Sequence, residues 1–176
     1  MNVIKKLDLV YDSQHNNPSG QGYRECFSSA CAMIVQYLGK IDHVNEYHAV
    51  RPSYGDSTDS FAQIQTIRHF GLRPHFETNG SQSWLKDKIL AGLPIAVGWL
   101  HHGGPNNPYG GGHYSTVVGV TDAGFLHHDP NGEASLVNGG YTANYDGSYQ
   151  HYSFKNWLPR WEVEGPGSGW AMEIRK

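Results

Sequence analysis

The stretch of sequence that decides the fold reads Arg24-Glu25-Cys26-Phe27-Ser28-Ser29-Ala30-Cys31-Ala32-Met33-Ile34-Val35-Gln36-Tyr37-Leu38-Gly39. Its apolar residues recur at the spacing of one helical face, at positions 27, 30, 31, 34, 35 and 38. Gly39 follows the last of them, where a glycine commonly ends a helix. The pattern predicts a buried helix with Cys26 in its first turn.

The position of Cys26 suggests a nucleophile. A thiol at a helix N-terminus lies near free backbone N–H groups and the positive end of the helix dipole, which favour the reactive thiolate. A structural core cysteine is the alternative, because free cysteines are among the most buried residues. Cys31 lies on the apolar stripe and is predicted to be an inert core residue. On one helix the two Cα atoms lie roughly 8 Å apart, too far for a disulfide.

Length and composition limit the class of protein. The chain has 176 residues, a net charge of −3 and only 16% charged residues. We expect one domain over residues 1–176, with no basic surface for nucleic acid or an anionic membrane. No apolar run approaches the ~18 residues of a membrane span. The 22 glycines and the 16 tyrosines and tryptophans together are typical of a loop-rich protein that holds an extended polymer or peptide.

The N-terminus indicates where the protein is made. Met1–Val10 lacks the long apolar run of a signal peptide. We therefore expect a soluble monomer synthesised in the cytoplasm, which lysis releases or a virion carries.

Helical and strand patterns occupy different parts of the chain. Strands are predicted at residues 7–14, 72–77, 93–100, 113–120, 125–129 and 169–175, and further helices at 60–70, 84–91 and 154–161. Residues 40–58 are predicted to be irregular and residues 131–150 rich in turns. Helices come first and hairpin-linked strands follow, which predicts an α+β fold with an antiparallel sheet.

His113 is the candidate base for Cys26. It begins a buried strand directly after three glycines, Gly110–Gly112, which leave its imidazole accessible. Antiparallel pairing about a turn at residues 121–124 places residue 113 opposite residues 129–133. Cross-strand neighbours lie about 5 Å apart, so Asp129 is predicted to contact His113, orient it and stabilise the imidazolium.

A Cys–His–Asp set that transfers acyl groups also needs donors for the oxyanion. The backbone N–H of Cys26 is one. Gln14 and Gln21 are both candidates for the second. Gln14 is preferred, because a strand end holds a side chain better than the loop Gly20-Gln21-Gly22 does.

Three motifs give the chain a resemblance to a known family. They are Cys26-x-x-Ser29-x-x-x-Met33-x-x-x-Tyr37-Leu38-Gly39, Gly111-Gly112-His113-Tyr114-x-x-Val117-Val118-Gly119 and Asp129-Pro130-x-Gly132. Together they resemble the papain-like cysteine peptidases, in particular the stand-alone relatives of the bacteriocin-processing double-glycine peptidases.

The resemblance implies a role for each candidate residue. It implies a helical side carrying the nucleophile Cys26 and an antiparallel sheet carrying the base His113 and the orienting acid Asp129. Gln14 matches the oxyanion glutamine, although its separation from Cys26 is longer than usual in the family, which leaves Gln21 open. Phe27 stands where transporter-linked members commonly carry glycine, which weakens a leader-peptide specificity.

Metal and cofactor chemistry are disfavoured. His101-His102 and His127-His128 are adjacent pairs, and neighbouring residues of a strand point to opposite faces, so they converge poorly on one ion. No cofactor is needed for the predicted reaction. Trp99, Tyr109, Tyr114 and Trp170 are candidates for a substrate groove, with Trp99 and Trp170 expected in the core.

The expected function is amide hydrolysis by a cysteine endopeptidase. The substrate is a peptide or peptidoglycan, and the composition suits a phage-type endolysin that cuts cell-wall cross-bridges. A leader-processing peptidase, an acyl transferase and a non-catalytic virion module that keeps the fold are the alternatives.

Overall fold

The computed structural model describes residues 1–176. Its seven strands are β1 (Val3–Lys6), β2 (Arg73–Gly80), β3 (Ile95–Trp99), β4 (His113–Thr121), β5 (Gly124–His128), β6 (Gln150–Ser153) and β7 (Gly169–Arg175). Its five helices are α1 (Cys26–Tyr37), α2 (Val44–Val50), α3 (Ser60–His69), α4 (Gln82–Leu90) and α5 (Phe154–Trp161). Short 3₁₀ turns lie at Gln14–Asn16, Gly22–Arg24 and Arg51–Ser53.

All the strands belong to one antiparallel sheet. Its order is β2-β7-β3-β4-β5-β6, and β1 pairs with β4 outside this path. The β4–β5 hairpin pairs Thr116 with His128 and Val117 with His127, within the register predicted from the turn. The α+β class, with a helical side and an antiparallel sheet, is therefore confirmed.

The helix α1 is the centre of the helical side. It begins at Cys26, and all residues from Phe27 to Val35 are buried. Gly39 follows it with φ +80°, a backbone conformation that glycine adopts without strain. The predicted helix and its glycine stop are confirmed.

The sheet separates two groups of buried apolar side chains. One group joins α1, α2 and α3 to Ala96, Met172 and Ile174 of the sheet. The other contains Trp99, Phe125, Trp157 and Trp161, together with the N-terminal residues Leu7 and Leu9. The structure thus covers both faces of β3 and β4, which explains their nearly continuous apolar sequences.

The predicted strand at residues 7–14 is wrong. The first strand is Val3–Lys6, and Gln14 begins a 3₁₀ turn. Leu7 and Leu9 do alternate into the core, and Leu7 N donates to Val118 O of β4 at 2.7 Å, but the carbonyls of both leucines contact side chains rather than a partner strand. Tyr149 Oη donates to Leu7 O at 2.9 Å and His128 Nε2 contacts Leu9 O at 2.8 Å. An apolar–polar alternation reports burial, and does not by itself report backbone pairing.

The sequence patterns did not predict one helix and one strand of the structure. Residues 40–58 contain α2, where His43 and Glu46 form a capping box: His43 Nδ1 accepts from Asn45 N and Glu46 Oε2 accepts from His43 N. The strand β6 follows the turn-rich stretch and pairs with β5. Both elements are short, seven and four residues long, so their periodicity is weak.

No helix of the structure combines the length and the apolar character that a membrane span requires.

Candidate active site

Contacts between α1 and β4 bring the two candidate residues together. Thr116 Oγ1 donates to Ala30 O at 2.9 Å, with both groups buried. The rings of Phe27 and Tyr114 stack at 3.7 Å with an interplanar angle of 3°. These contacts hold the first turn of α1, with Cys26, against the start of β4, where His113 lies.

A buried ion pair precedes the cysteine. Glu25 is 4% exposed and occupies the N-cap position, but its side chain caps nothing. Its carboxylate lies 2.7 Å from Arg51 Nη2. An unpaired carboxylate beside Cys26 would disfavour the thiolate, since like charges repel. Arg51 neutralises that charge and leaves the N–H groups of α1 as the dominant local field.

His113 forms a buried hydrogen bond with Asp129. Its Nε2 lies 2.8 Å from Asp129 Oδ1, as the hairpin register predicts. Cys26 also lies close enough to His113 to raise the pKa of the imidazole. The three side chains therefore form a line from thiol to imidazole to carboxylate.

Charges around His113 favour its imidazolium. Burial alone lowers the pKa of His113, but the charge and hydrogen bond of Asp129, followed by the hydrogen bond and charge of Cys26, raise it to about 10. A protonated His113 beside Cys26 is the partner that a thiolate requires.

Two residues that bind Asp129 were not predicted. Tyr152 Oη donates to Asp129 Oδ2 at 2.7 Å, and Tyr141 Oη lies 3.2 and 3.1 Å from Oδ1 and Oδ2. The backbone N–H of Asn131 donates to Oδ1 at 3.0 Å. Tyr141 lies in the turn-rich stretch and Tyr152 in the missed strand β6, and no local pattern indicates either contact.

The two candidate glutamines lie in different environments. Gln14 is 3% exposed; its backbone N donates to Pro130 O at 2.9 Å and its Nε2 to Gly22 O at 3.0 Å. One N–H of that amide thus holds the segment before Cys26, and the second remains available. Gln21 is exposed and its side chain caps nothing. Of the two candidates, Gln14 is therefore the buried and anchored one.

A second polar row lies beneath the His113–Asp129 pair. Trp99 Nε1 donates to Ser115 Oγ at 3.0 Å, and Ser115 Oγ lies 2.8 Å from His127 Nδ1. The Trp99 ring meets the His113 ring edge-on at 5.3 Å. This row fixes the indole that shields His113, and the core position expected for Trp99 is confirmed by its 2% exposure.

Burial disfavours the charged form of three further histidines near the site. Burial, followed by the charges of His113 and His102, lowers the pKa of His101 to about 4. Burial also lowers the pKa of His127 and of His128. No group of three or more His, Cys, Asp or Glu side chains is arranged to hold a metal ion.

A cavity of about 330 Å³ lies beside the candidate pair. Its walls include Trp99, Leu100, Tyr114, Trp161, Val163 and Trp170, and the glycines 110–112 that precede His113. Cys26 and His113 are not among its lining residues. Trp170 is 54% exposed, so the core position expected for it is wrong: it lies in β7, between β2 and β3, and lines the cavity.

The two cysteines differ as predicted in burial. Cys31 is fully buried and burial raises its pKa strongly, whereas Cys26 is half-buried at the cleft. Neither forms a disulfide.

A helix-borne cysteine facing a histidine and an aspartate on an antiparallel sheet defines the papain-like class of fold. Residues 6–162 match the model of the Peptidase_C39 like family, and the chain belongs to that family. The resemblance inferred from the three motifs is thereby confirmed.

Solved structures share the fold at low sequence identity. The peptidase domain of Streptococcus ComA, a bi-functional ABC transporter, is 12% identical with a TM-score of 0.58, covering 99% of this chain and 97% of that one. A C39-like peptidase from Bacillus anthracis is 13% identical with a TM-score of 0.59, covering 98% of each chain. A double glycine motif protease from an AMS/PCAT transporter, solved with its leader peptide, is 13% identical with a TM-score of 0.56, covering 98% and 94%.

Comparison with curated proteins finds no match.

Proposed function

We propose that this protein is a cysteine peptidase that hydrolyses an amide bond of a peptide through a thioester acyl-enzyme. The observation that carries the proposal is the position of His113, hydrogen-bonded to Asp129 and close enough to Cys26 for the cysteine to raise its pKa. Family membership supports the peptidase class.

In the proposed reaction each group has one role. Cys26 Sγ attacks the carbonyl carbon, and the carbonyl electron pair moves to oxygen, where the N–H of Cys26 and the free amide N–H of Gln14 stabilise it. When the tetrahedral intermediate collapses, the C–N bond breaks and the leaving amine takes the proton from His113 Nδ1. His113 then removes a proton from water, which attacks the thioester and releases the acid and Cys26.

The substrate is proposed as a peptide that lies along the cleft. The cavity beside His113, walled by Trp99, Tyr114 and Trp170, offers an apolar surface to its side chains. One structural neighbour was solved with a leader peptide, which makes a leader-type peptide the first substrate to test. A peptidoglycan cross-bridge rests on composition alone and receives no support from the comparisons.

Thiol reactivity tests the nucleophile. With iodoacetamide near neutral pH, we expect Cys26 to be alkylated at least about tenfold faster than a free thiol, because the ion pair makes it a thiolate. Cys31→Ala should leave this rate unchanged, and Cys26→Ala should abolish it. His113→Gln should reduce the rate to that of an ordinary thiol. If Cys26 reacts no faster than a free thiol, the peptidase proposal is wrong.

Product analysis then identifies the substrate. The protein is incubated with double-glycine leader peptides, a peptide library and purified peptidoglycan, and new amino termini are identified by mass spectrometry. If one of these substrate classes is cleaved, and the cleavage requires Cys26, that class contains the substrate. Products joined to an added amine would instead indicate acyl transfer. If Cys26→Ala changes no activity, the non-catalytic alternative is favoured.

A further inference from the structure

The carboxylate of Asp129 accepts from two tyrosine hydroxyls besides His113. Asp129 is fully buried. Tyr152 bonds to Oδ2, the oxygen that His113 does not use, and Tyr141 bridges both oxygens. An ionised carboxylate is only an acceptor, so both hydroxyls direct their hydrogens at Asp129.

The hydroxyl of Tyr152 is held in that orientation. The backbone N–H of Ala134 donates to Tyr152 Oη at 3.0 Å, which leaves the hydroxyl hydrogen for Asp129. Tyr152 is 2% exposed. Burial, followed by the charge of Asp129, raises the pKa of Tyr152 and Tyr141 well above the usual value. Both therefore remain protonated donors over the whole working pH range.

We propose that Tyr141 and Tyr152 are positioning residues that act on His113 through Asp129. Their hydroxyls offset part of the carboxylate charge and so set the pH range of the Cys26–His113 ion pair. The lower limit of this range is the pH at which Cys26 loses its proton, and the upper limit is the pH at which His113 loses its proton. The inference rests on the proposed cysteine chemistry and assigns a role to the segment between β5 and α5.

The sign of the effect follows from electrostatics. Each hydroxyl places a positive hydrogen beside Asp129, which weakens the negative field of the carboxylate at His113 and Cys26. Without one hydroxyl, the field is stronger. His113 then keeps its proton to higher pH, and the Cys26 thiolate forms only at higher pH. Both limits of the ion pair move up.

A purely structural role predicts the opposite sign. If the tyrosines only hold Asp129 in place by packing, their loss loosens the 2.8 Å contact with His113. His113 then loses the interaction that raises its pKa, and both limits move down, as they should when Asp129 loses its charge. The direction of the shift therefore separates the two roles.

Other groups around the pair do not titrate in the tested range. Burial lowers the pKa of His101 to about 4 and lowers the pKa of His127 well below its usual value, so both are neutral near neutral pH. Tyr11 donates to the backbone O of Asp129 at 2.7 Å, and its pKa is raised to about 12, mainly by burial. The Asn131 N–H on Oδ1 carries no charge.

The test compares single hydroxyl deletions. Tyr152→Phe and Tyr141→Phe are made in a Cys31→Ala background, and the rate of Cys26 alkylation by iodoacetamide is measured against pH. The pH profile of the alkylation rate has one midpoint for the ionisation of Cys26 and one for that of His113, and we expect both midpoints to rise by about half a pH unit or more in each variant. Asp129→Asn should lower both. Tyr149→Phe is the matched control, because its hydroxyl donates to Leu7 O and does not touch Asp129; it should shift neither midpoint.

A second measurement keeps the inference separate from the peptidase proposal. The ¹³Cε1 signal of His113, assigned with His113→Gln, reports its titration even if no amide bond is cleaved. An upward shift in both tyrosine variants, with unchanged thermal melting of Tyr141→Phe, supports the proposal. No shift, or a downward shift like that of Asp129→Asn, overturns it.

Discussion

His113 links the two charged groups of the site, and its surroundings decide the state in which it works. Burial opposes its charge, but Asp129 and Cys26 together outweigh burial and raise the pKa to about 10. The imidazolium is therefore present at neutral pH and is lost only as the pH rises toward 10. The oxyanion donors are the other residue-scale requirement, and Gln14 is the buried candidate.

The two glutamines provide a matched pair of variants. Gln14→Ala should lower kcat by about 10²- to 10³-fold, because the tetrahedral intermediate loses one donor. Its effect on Cys26 alkylation should be small, since alkylation forms no oxyanion. Gln21→Ala, an exposed position, should change neither rate. Equal losses of kcat in the two variants would contradict the assignment of Gln14.

At the scale of elements, the first turn of α1 is held from several sides. Thr116 anchors it to β4, and Ser57 Oγ donates to Arg24 O at 2.5 Å. The Glu25–Arg51 pair fixes it to the end of α2, with side chains only 5% and 8% exposed. Because both charges are buried, each depends on the other for stability.

Removing one member of that pair should be costly. Arg51→Met is expected to lower the free energy of unfolding by about 3–5 kcal/mol, because Glu25 remains as a buried unpaired charge. The exposed pair of Arg24 and Asp56, at 2.8 Å, is the control: Arg24→Met should cost less than about 1 kcal/mol. Urea unfolding measures both.

The double variant sharpens this prediction. Glu25→Met with Arg51→Met should recover most of the loss, since no buried charge is left unpaired. A double variant as unstable as Arg51→Met alone would show that packing, rather than charge, accounts for the cost.

At the scale of the whole molecule, Arg160 of α5 joins distant loops. Its guanidinium donates to Leu100 O and His102 O at 3.2 Å each, to Gly103 O at 2.6 Å, and to Leu136 O. Arg160 is fully buried. It therefore holds the start of the 101–112 loop, which leads to His113, against the 131–140 loop, which leads to Tyr141.

Arg160→Met should free these loops. The four carbonyls lose the guanidinium, although His102 O still accepts from Tyr109 N, and we expect a loss of about 2–4 kcal/mol in the free energy of unfolding. Limited proteolysis with mass spectrometry should show new cleavage within residues 101–112. Arg68→Met, at an exposed position of α3 without a side-chain partner, should change neither stability nor cleavage. A wild-type cleavage pattern in Arg160→Met would contradict this role.

The sequence by itself determined the parts of the protein that depend on local patterns. The helical spacing around Cys26 predicted α1 and its glycine stop, and the short turn at residues 121–124 determined the register that places Asp129 beside His113. Both follow from interactions between residues close in the chain, which a sequence displays directly. The fold class and the candidate pair were therefore predictable.

Only the tertiary structure decided the surroundings of that pair. The bonds of Tyr141 and Tyr152 to Asp129, the pairing of Glu25 with Arg51, and the exposure of Trp170 at the cavity all join elements remote in sequence. In the extended segment Leu7–Gln14, the carbonyls of Leu7 and Leu9 likewise contact side chains of β5 and the loop before β6, although the apolar alternation resembled that of a strand. Such contacts depend on how elements pack in three dimensions, and no spacing within one element encodes them.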